Sequence, residues 1–250
     1  MHRYFLEIAY DGTQFHGWQI QLNAHSVQAA LQQALALYYR HSIETTGCGR
    51  TDTGVHSTSY FLHFDLPKEI EDINKDIYKL NGLLPSDIGV LSLREVQPNA
   101  HARFDAQIRK YQYHIHSHKD PFLENRSMQS HYALDIAKMN EACNLLLKTE
   151  DFASFCKSGS DAKTTICHLQ EARWEQNGHQ LIFHIAADRF LRNMVRAVVG
   201  TLVDVGRDKI SITEFQNAVA AKKRSAAGKS VDACGLYLTE VAYDWPSISK

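Results

Sequence analysis

The chain has 250 residues, 44% of them hydrophobic, with a formal net charge of −1, which describes an ordinary globular protein and by itself points to no polyanionic partner. No apolar run approaches the length that spans a bilayer, and a strand-like run from Arg3 leaves no room for a signal peptide ahead of it, so a cytosolic protein is expected. Five cysteines, an odd number with no C-x-x-C, argue for reduced, buried thiols rather than a disulfide framework.

In chain order, Tyr4, Leu6, Ile8 and Tyr10 of "RYFLEIAY" alternate with the period of a half-buried strand. Val27, Ala30, Leu31, Ala34, Leu35 and Tyr38 recur at helical spacing after Ser26, a suitable N-cap. A short run ending near Cys48 leads into a glycine-rich loop, and Tyr60, Leu62, Phe64 and Leu66 alternate again. Ile70, Ile73, Ile77 and Leu80 form a second helix pattern, and "IGVLSLREV" a strand. The second half repeats the order: "IRKYQYHIH" as strand, Ile136 to Leu147 as helix, "TTICHLQEARW" and "HQLIFHIAA" as strands. A helix over Phe190 to Val205, another from Thr213, and the strand "GLYLTEVAYD" follow.

Two tandem βαββαβ units are therefore predicted, an α+β class of ferredoxin-like plan, with domains at residues 1–105 and 106–250. Joined side by side they would form one antiparallel sheet with helices on one face, the other face free to meet a partner, and a central cleft as the active site.

Between Arg189 and Lys229 the chain carries nine basic residues against three acidic ones. Such a segment is either a solvated basic face or a patch that meets phosphates.

"TTGCGRTDTGVHS", Thr45 to Ser57, holds a single carboxylate, Asp52, among small residues, with Arg50 before it and His56 after it. Cys48, Asp52 and His56 are spaced by four, but three glycines disfavour a helix and no second His or Cys cluster completes a zinc shell. A G-x-G lacking its third glycine is no nucleotide loop, and Cys48 reads as a small buried thiol. Asp52 itself is either an Asx-turn residue or a reactive group. The missing second acid does not suit the paired carboxylates of glycoside hydrolysis; it suits a nucleophile or a single general base.

Arg109, Tyr111, Tyr113 and Ile115 point to one strand face, so each tyrosine is either a core aromatic or a ring on which a base stacks. Arg189, Arg192 and Arg196 would share one face of the helix predicted from Phe190, as a solvated stripe or as guanidinium groups beside a carboxylate and phosphates. His101 and Arg103 of "HARF" stand at the junction of the halves.

"GCGRTDTGVHS" closely resembles the catalytic motif of the tRNA pseudouridine synthase A family, which converts uridines 38 to 40 of the anticodon stem-loop to pseudouridine. "IAYDGTQFHGWQ", "HARFDA", "RKYQYHI", "FASF", "FLRNMVRAVVG" and "GLYL" extend the likeness along the chain in the family's order. The resemblance implies Asp52 as nucleophile, Tyr111 stacked on the target uracil and Arg196 paired with the aspartate. It further implies Arg50 near the flipped nucleotide and Leu236 walling the pocket, with His56, Arg103 and Arg192 as further substrate contacts. No metal or organic cofactor is implied; the partners would be tRNA and a second copy of the chain in a homodimer. Thr53 departs from the pattern, standing where alanine is usual. A non-catalytic RNA-binding protein is the rival reading, but "TSYFLHFDL" lacks the aromatic signature of a base-stacking sheet. A metal-dependent hydrolase lacks ligands.

Overall fold

The computed structural model describes residues 1–160 and 162–250. They form a mixed α and β protein whose chain divides into two compact units, Met1–Ile108 with Tyr237–Lys250, and Arg109–Leu236.

In the first unit the order is β1 (His2–Tyr10), α1 (Val27–Tyr39), β2 (Thr46–Gly47), β3 (His56–Leu66), α2 (Ile73–Leu83) and β4 (Ile88–Val96). β1 lies between β3 and β4, antiparallel to both, in register from Tyr4↔Phe64 to Ile8↔Tyr60 on one side. Ser26 caps α1 by accepting from the Ala29 amide at 3.3 Å, and Asp72 caps α2 from Lys75 at 3.0 Å, so α2 starts after Ile70. Tyr60, Leu62 and Phe64, which the alternation in β3 assigned to one buried face, are fully buried.

The other face of this sheet is not left free as expected. Phe61 and His63 are 6% and 7% exposed, because Phe5 and Phe61 pack edge-on against Tyr243 at 5.3 Å and Trp245 closes over Phe61. Ala102, itself fully buried, donates its amide to His63 Nδ1 at 3.1 Å and accepts from the Tyr243 hydroxyl at 2.6 Å. A central strand flanked on both edges has two faces to dry, and the "HARF" turn and the C-terminal segment cover the second.

The second unit contains most of β5 (Ala106–His116), then β6 (Met128–Gln129), α3 (Ile136–Leu146), β7 (Leu169–Asn177), β8 (Gln180–Ala187), α4 (Met194–Gly206) and α5 (Ile212–Ala220). β8 runs antiparallel between β5 and β7. Asn140 of α3 brackets Trp174 of β7, accepting from its amide at 2.7 Å and donating to its carbonyl at 3.2 Å, which fixes helix against sheet.

Two expectations are corrected here. The strand expected to begin at Thr164 starts at Leu169, and the helix expected from Phe190 starts at Met194 because Asn193 adopts a left-handed φ of +64° that no helix continues through. The last strand, β9 (Leu236–Tyr243), follows α5 in sequence, yet from Tyr237 onward it belongs to the first unit, where it runs parallel to β3 at His56↔Tyr237 and Ser57↔Leu238. A short helix, α6 (Trp245–Ile248), ends the chain, and Gln97 donates its amide to the Ile248 carbonyl at 2.8 Å.

Candidate active site

The Asp52 loop is held by the segment that follows β1. Trp18 donates its amide to the Thr51 carbonyl at 3.3 Å, Gly54 donates to the Phe15 carbonyl at 3.2 Å, and the Val55 amide closes a turn onto the Asp52 carbonyl at 3.2 Å. Side chains add to this frame: the Tyr10 hydroxyl meets Thr51 Oγ1 at 2.9 Å, and Tyr60 donates to the Gly49 carbonyl at 2.6 Å while stacking on Trp18 at 4.3 Å. The N-terminus of α1 joins in, as Val27 and Gln28 donate their amides to the carbonyls of Gly17 and Trp18. Gln28 also reaches the Thr45 carbonyl at 2.9 Å.

Close backbone approach explains two glycines. A Cβ on Gly12 would lie 2.0 Å from the Val55 carbonyl oxygen, and Gly17, at φ +85°, would place one 2.4 Å from that of Thr51. Asp52 is half-buried on this frame, and Arg50 is exposed beside it. Cys48 is buried, with its amide on the Phe61 carbonyl at 2.8 Å, as a packing thiol would be. His56 is 2% exposed, stacked on Tyr237 at 4.6 Å. Among the described residues no group of three or more His, Cys, Asp or Glu side chains is placed to hold a metal ion.

Arg103 is exposed on the "HARF" turn, its amide donating to His101 Nδ1 at 3.1 Å and its guanidinium 5.7 Å from the Phe104 ring. Burial holds the His63 imidazole down to a pKa of about 4, with the charges of Arg3 and His101 acting in the same direction.

In the second unit, the strand face that carries the tyrosines grades from core to surface. Tyr113 is fully buried, donating to the Asp232 carbonyl at 2.8 Å, whereas Tyr111 is half-buried with Phe190 edge-on at 5.1 Å. Tyr113 is thus a core residue, and Tyr111 is not fully enclosed. Leu236, 6% exposed, follows Gly235, where a Cβ would meet the His114 carbonyl oxygen at 2.6 Å.

The three arginines do not form a ladder on one helix. Arg196 lies in the first turn of α4, where it donates Nε to the Val231 carbonyl at 2.8 Å while its own carbonyl accepts from the Val231 amide. Arg192 precedes the helix, exposed, with its carbonyl taken by the Lys157 amide. Of the basic run, Lys209 pairs with Asp204 and Lys222 with Asp151, and Arg224 donates to the Gly228 carbonyl, so part of the positive excess is spent internally.

Sequence reasoning missed the roles of Gly12, Gly17, Trp18 and Tyr60 as the frame of the Asp52 loop. The clustering of glycines and aromatics in "YDGTQFHGW", directly after a strand, was the available signal.

Comparison with known proteins supplies the class first. Residues 142–244 match the family described as tRNA pseudouridine synthase, a class of isomerases. Over nearly the whole chain, the tRNA pseudouridine synthase A of Bacteroides fragilis is 48% identical across 242 residues, covering 96% of each protein. That of Parabacteroides distasonis is 47% identical, covering 97% of this chain and 96% of its own, and that of Bacillus licheniformis 39%, covering 95% and 97%. The chain belongs to the tRNA pseudouridine synthase A family. Among the described residues no helix is long and apolar enough to cross a membrane.

Proposed function

We propose that the protein isomerises uridine to pseudouridine in tRNA, at positions 38, 39 and 40 of the anticodon stem-loop, with Asp52 as the reacting carboxylate. The observation that carries this reading is a half-buried carboxylate on a loop whose backbone is pinned to the segment after β1. Preorganisation of this kind suits a group that must meet a reacting carbon in one orientation.

In the reaction the bond from ribose C1′ to uracil N1 breaks with its electron pair left on the base. The uracil turns, C5 bonds to C1′, the C5 proton is lost and N1 gains one, so atoms balance without redox chemistry. Asp52 assists cleavage at C1′. Tyr111 is the ring on which the released uracil stays stacked, with its hydroxyl as a relay for the C5 proton, and Arg196 is the cation that pairs with the carboxylate. Leu236 lines the apolar side, and Arg50, Arg103 and Arg192, all exposed, meet the RNA. Extruding a stacked nucleotide costs a few kcal/mol, which contacts to phosphate offset. The same reading takes residues 1–105 and 106–250 as two domains of one split βαβ plan, and the active protein as a cytoplasmic homodimer.

The test is pseudouridine mapping by nucleotide on unmodified tRNA without added metal, for wild type and Asp52→Asn. The variant should bind tRNA with unchanged affinity and lose turnover by at least about a thousandfold, as expected when a group acting in the transition state is removed. Near wild-type product from Asp52→Asn would overturn the assignment, and tRNA binding without product from wild type would favour a binding protein.

A further inference from the structure

His56 opens β3 four residues after Asp52, and its side chain is only 3% exposed. Its Nδ1 lies 3.0 Å from the Gly12 amide nitrogen and 3.3 Å from Asp11 Oδ1. These two neighbours demand opposite states of the ring. An amide can only donate, so it needs a bare Nδ1; a carboxylate can only accept, so it needs Nδ1–H.

The donor has the stronger claim. Asp11 Oδ1 already accepts from the amide and the hydroxyl of Thr13. Gly12 is buried, and a buried amide without an acceptor is costly. The neutral ring with Nδ1 bare and hydrogen on Nε2 is therefore the one this geometry selects, and its flat face rests on Tyr237 at 4.6 Å with 20° between planes.

We infer that His56 is a positioning residue rather than a substrate contact: its Nδ1 lone pair latches the Gly12 turn and thereby sets where the Asp52 loop stands. Burial leaves it little surface to offer a substrate. The latch also sits where the two backbones come closest, since the space for a Cβ on Gly12 is taken by the carbonyl of Val55, the residue before His56. This inference rests on the reading of Asp52 as the reacting carboxylate.

Two measurements on the full-length protein test it. Nitrogen-15 spectra of labelled histidine, assigned by the signal lost in His56→Asn, should show His56 neutral with hydrogen on Nε2 and Nδ1 as an acceptor. Hydrogen on Nδ1 would overturn the latch, and this readout needs no variant to be active. Substitution supplies the second, because asparagine places an amide oxygen at the reach of Nδ1 whereas glutamine reaches toward Nε2. His56→Asn should keep kcat within about fivefold of wild type, while His56→Gln and His56→Ala lose about fiftyfold with tRNA affinity unchanged, as a displaced reactive group predicts.

An asparagine variant that melts like wild type but is as slow as alanine would overturn the inference. So would a weakened tRNA affinity with unchanged kcat, the signature of a substrate contact. Asp52→Asn assayed alongside separates the failures: if it turns over normally, the assignment of Asp52 fails, whatever the histidine variants do.

Discussion

At Gly12 a single methyl group would decide whether the Asp52 loop keeps its place. Alanine there would put a Cβ 2.0 Å from the Val55 carbonyl oxygen, and neither partner is a flexible side-chain end that could swing away. Gly12→Ala should cost about 1–3 kcal/mol, a melting temperature lower by several degrees, and should reduce turnover beyond the loss of folded protein. Gly49 is the control, since nothing lies within 4 Å of its Cβ direction, and Gly49→Ala should melt within about two degrees of wild type. Calorimetry and single-turnover kinetics on both variants check this.

His63 gives a second prediction at the same scale. The folded protein holds its pKa down at about 4, below the ordinary 6.5, so the neutral ring is bound to the fold through the Ala102 amide. As pH falls from 6.5 towards 4 the unfolded chain takes up a proton that the folded chain refuses, and stability is lost through that window and retained above it. The charged or titratable neighbours, Arg3, His101, Asp65 and Asp105, modulate the ring but do not reverse this sign. Melting temperature should fall more steeply between pH 6.5 and 4 in wild type than in His63→Asn, which keeps an acceptor for Ala102 without the proton; equal slopes would reject the assignment.

Among the elements, α1 and α2 are joined by one buried carboxylate. Asp76 of α2 accepts from the hydroxyls of Tyr38 at 2.5 Å and Tyr39 at 2.7 Å, both of α1, and burial with the nearby carboxylate pushes the Tyr38 hydroxyl up to about 12. Asp76→Ala removes the acceptor from both hydroxyls and should cost about 2 kcal/mol, measured as a lower urea midpoint with unchanged m-value. Nothing in the sequence pairs Asp76 with two tyrosines 37 and 38 residues earlier, because helical spacing orders residues within a helix and not across two. What spacing does carry is the existence of the helices: Ser26, Asp72, Asp135 and Ser211 each stand where a cap is needed and each accepts the expected amide. The start of α4 was illegible for the same reason in reverse. "FLRN" has helix-compatible residues, and only the left-handed backbone of Asn193 places Arg192 outside the helix that carries Arg196.

For the whole molecule, balanced net charge conceals a basic segment from Arg189 to Lys229 in the second unit. With Lys209 and Lys222 already paired to acids, the groups left for phosphates include the exposed Arg192, Lys223 and Lys229. Affinity for tRNA should therefore fall by about 20- to 40-fold between about 50 and 200 mM salt, a slope of about three released counterions rather than the full basic count. Lys223→Glu combined with Lys229→Glu should flatten that slope, measured by filter binding, while leaving the melting temperature unchanged.

The motif in which Asp52 stands, the likeness to its family, and the strand and helix order of both halves are properties of local residue types and spacing, so the sequence by itself determined them. Where β9 pairs, what covers the second face of β3, and which of two tyrosines on one strand is core were decided only by the tertiary structure. The physical reason is common to the three. Alternation records that a residue is buried, not by which neighbour. Tyr111 and Tyr113 therefore read alike until the fold buries Tyr113 completely and leaves Tyr111 half-buried. The Asp52 loop shows both limits at once. Its place in the family motif was legible, although one acid among small residues reads equally as a turn; its fixity was not, because the amides and carbonyls of residues 12 to 18 that hold it are paired by tertiary approach, of which the glycines and aromatics of "YDGTQFHGW" are only a local sign.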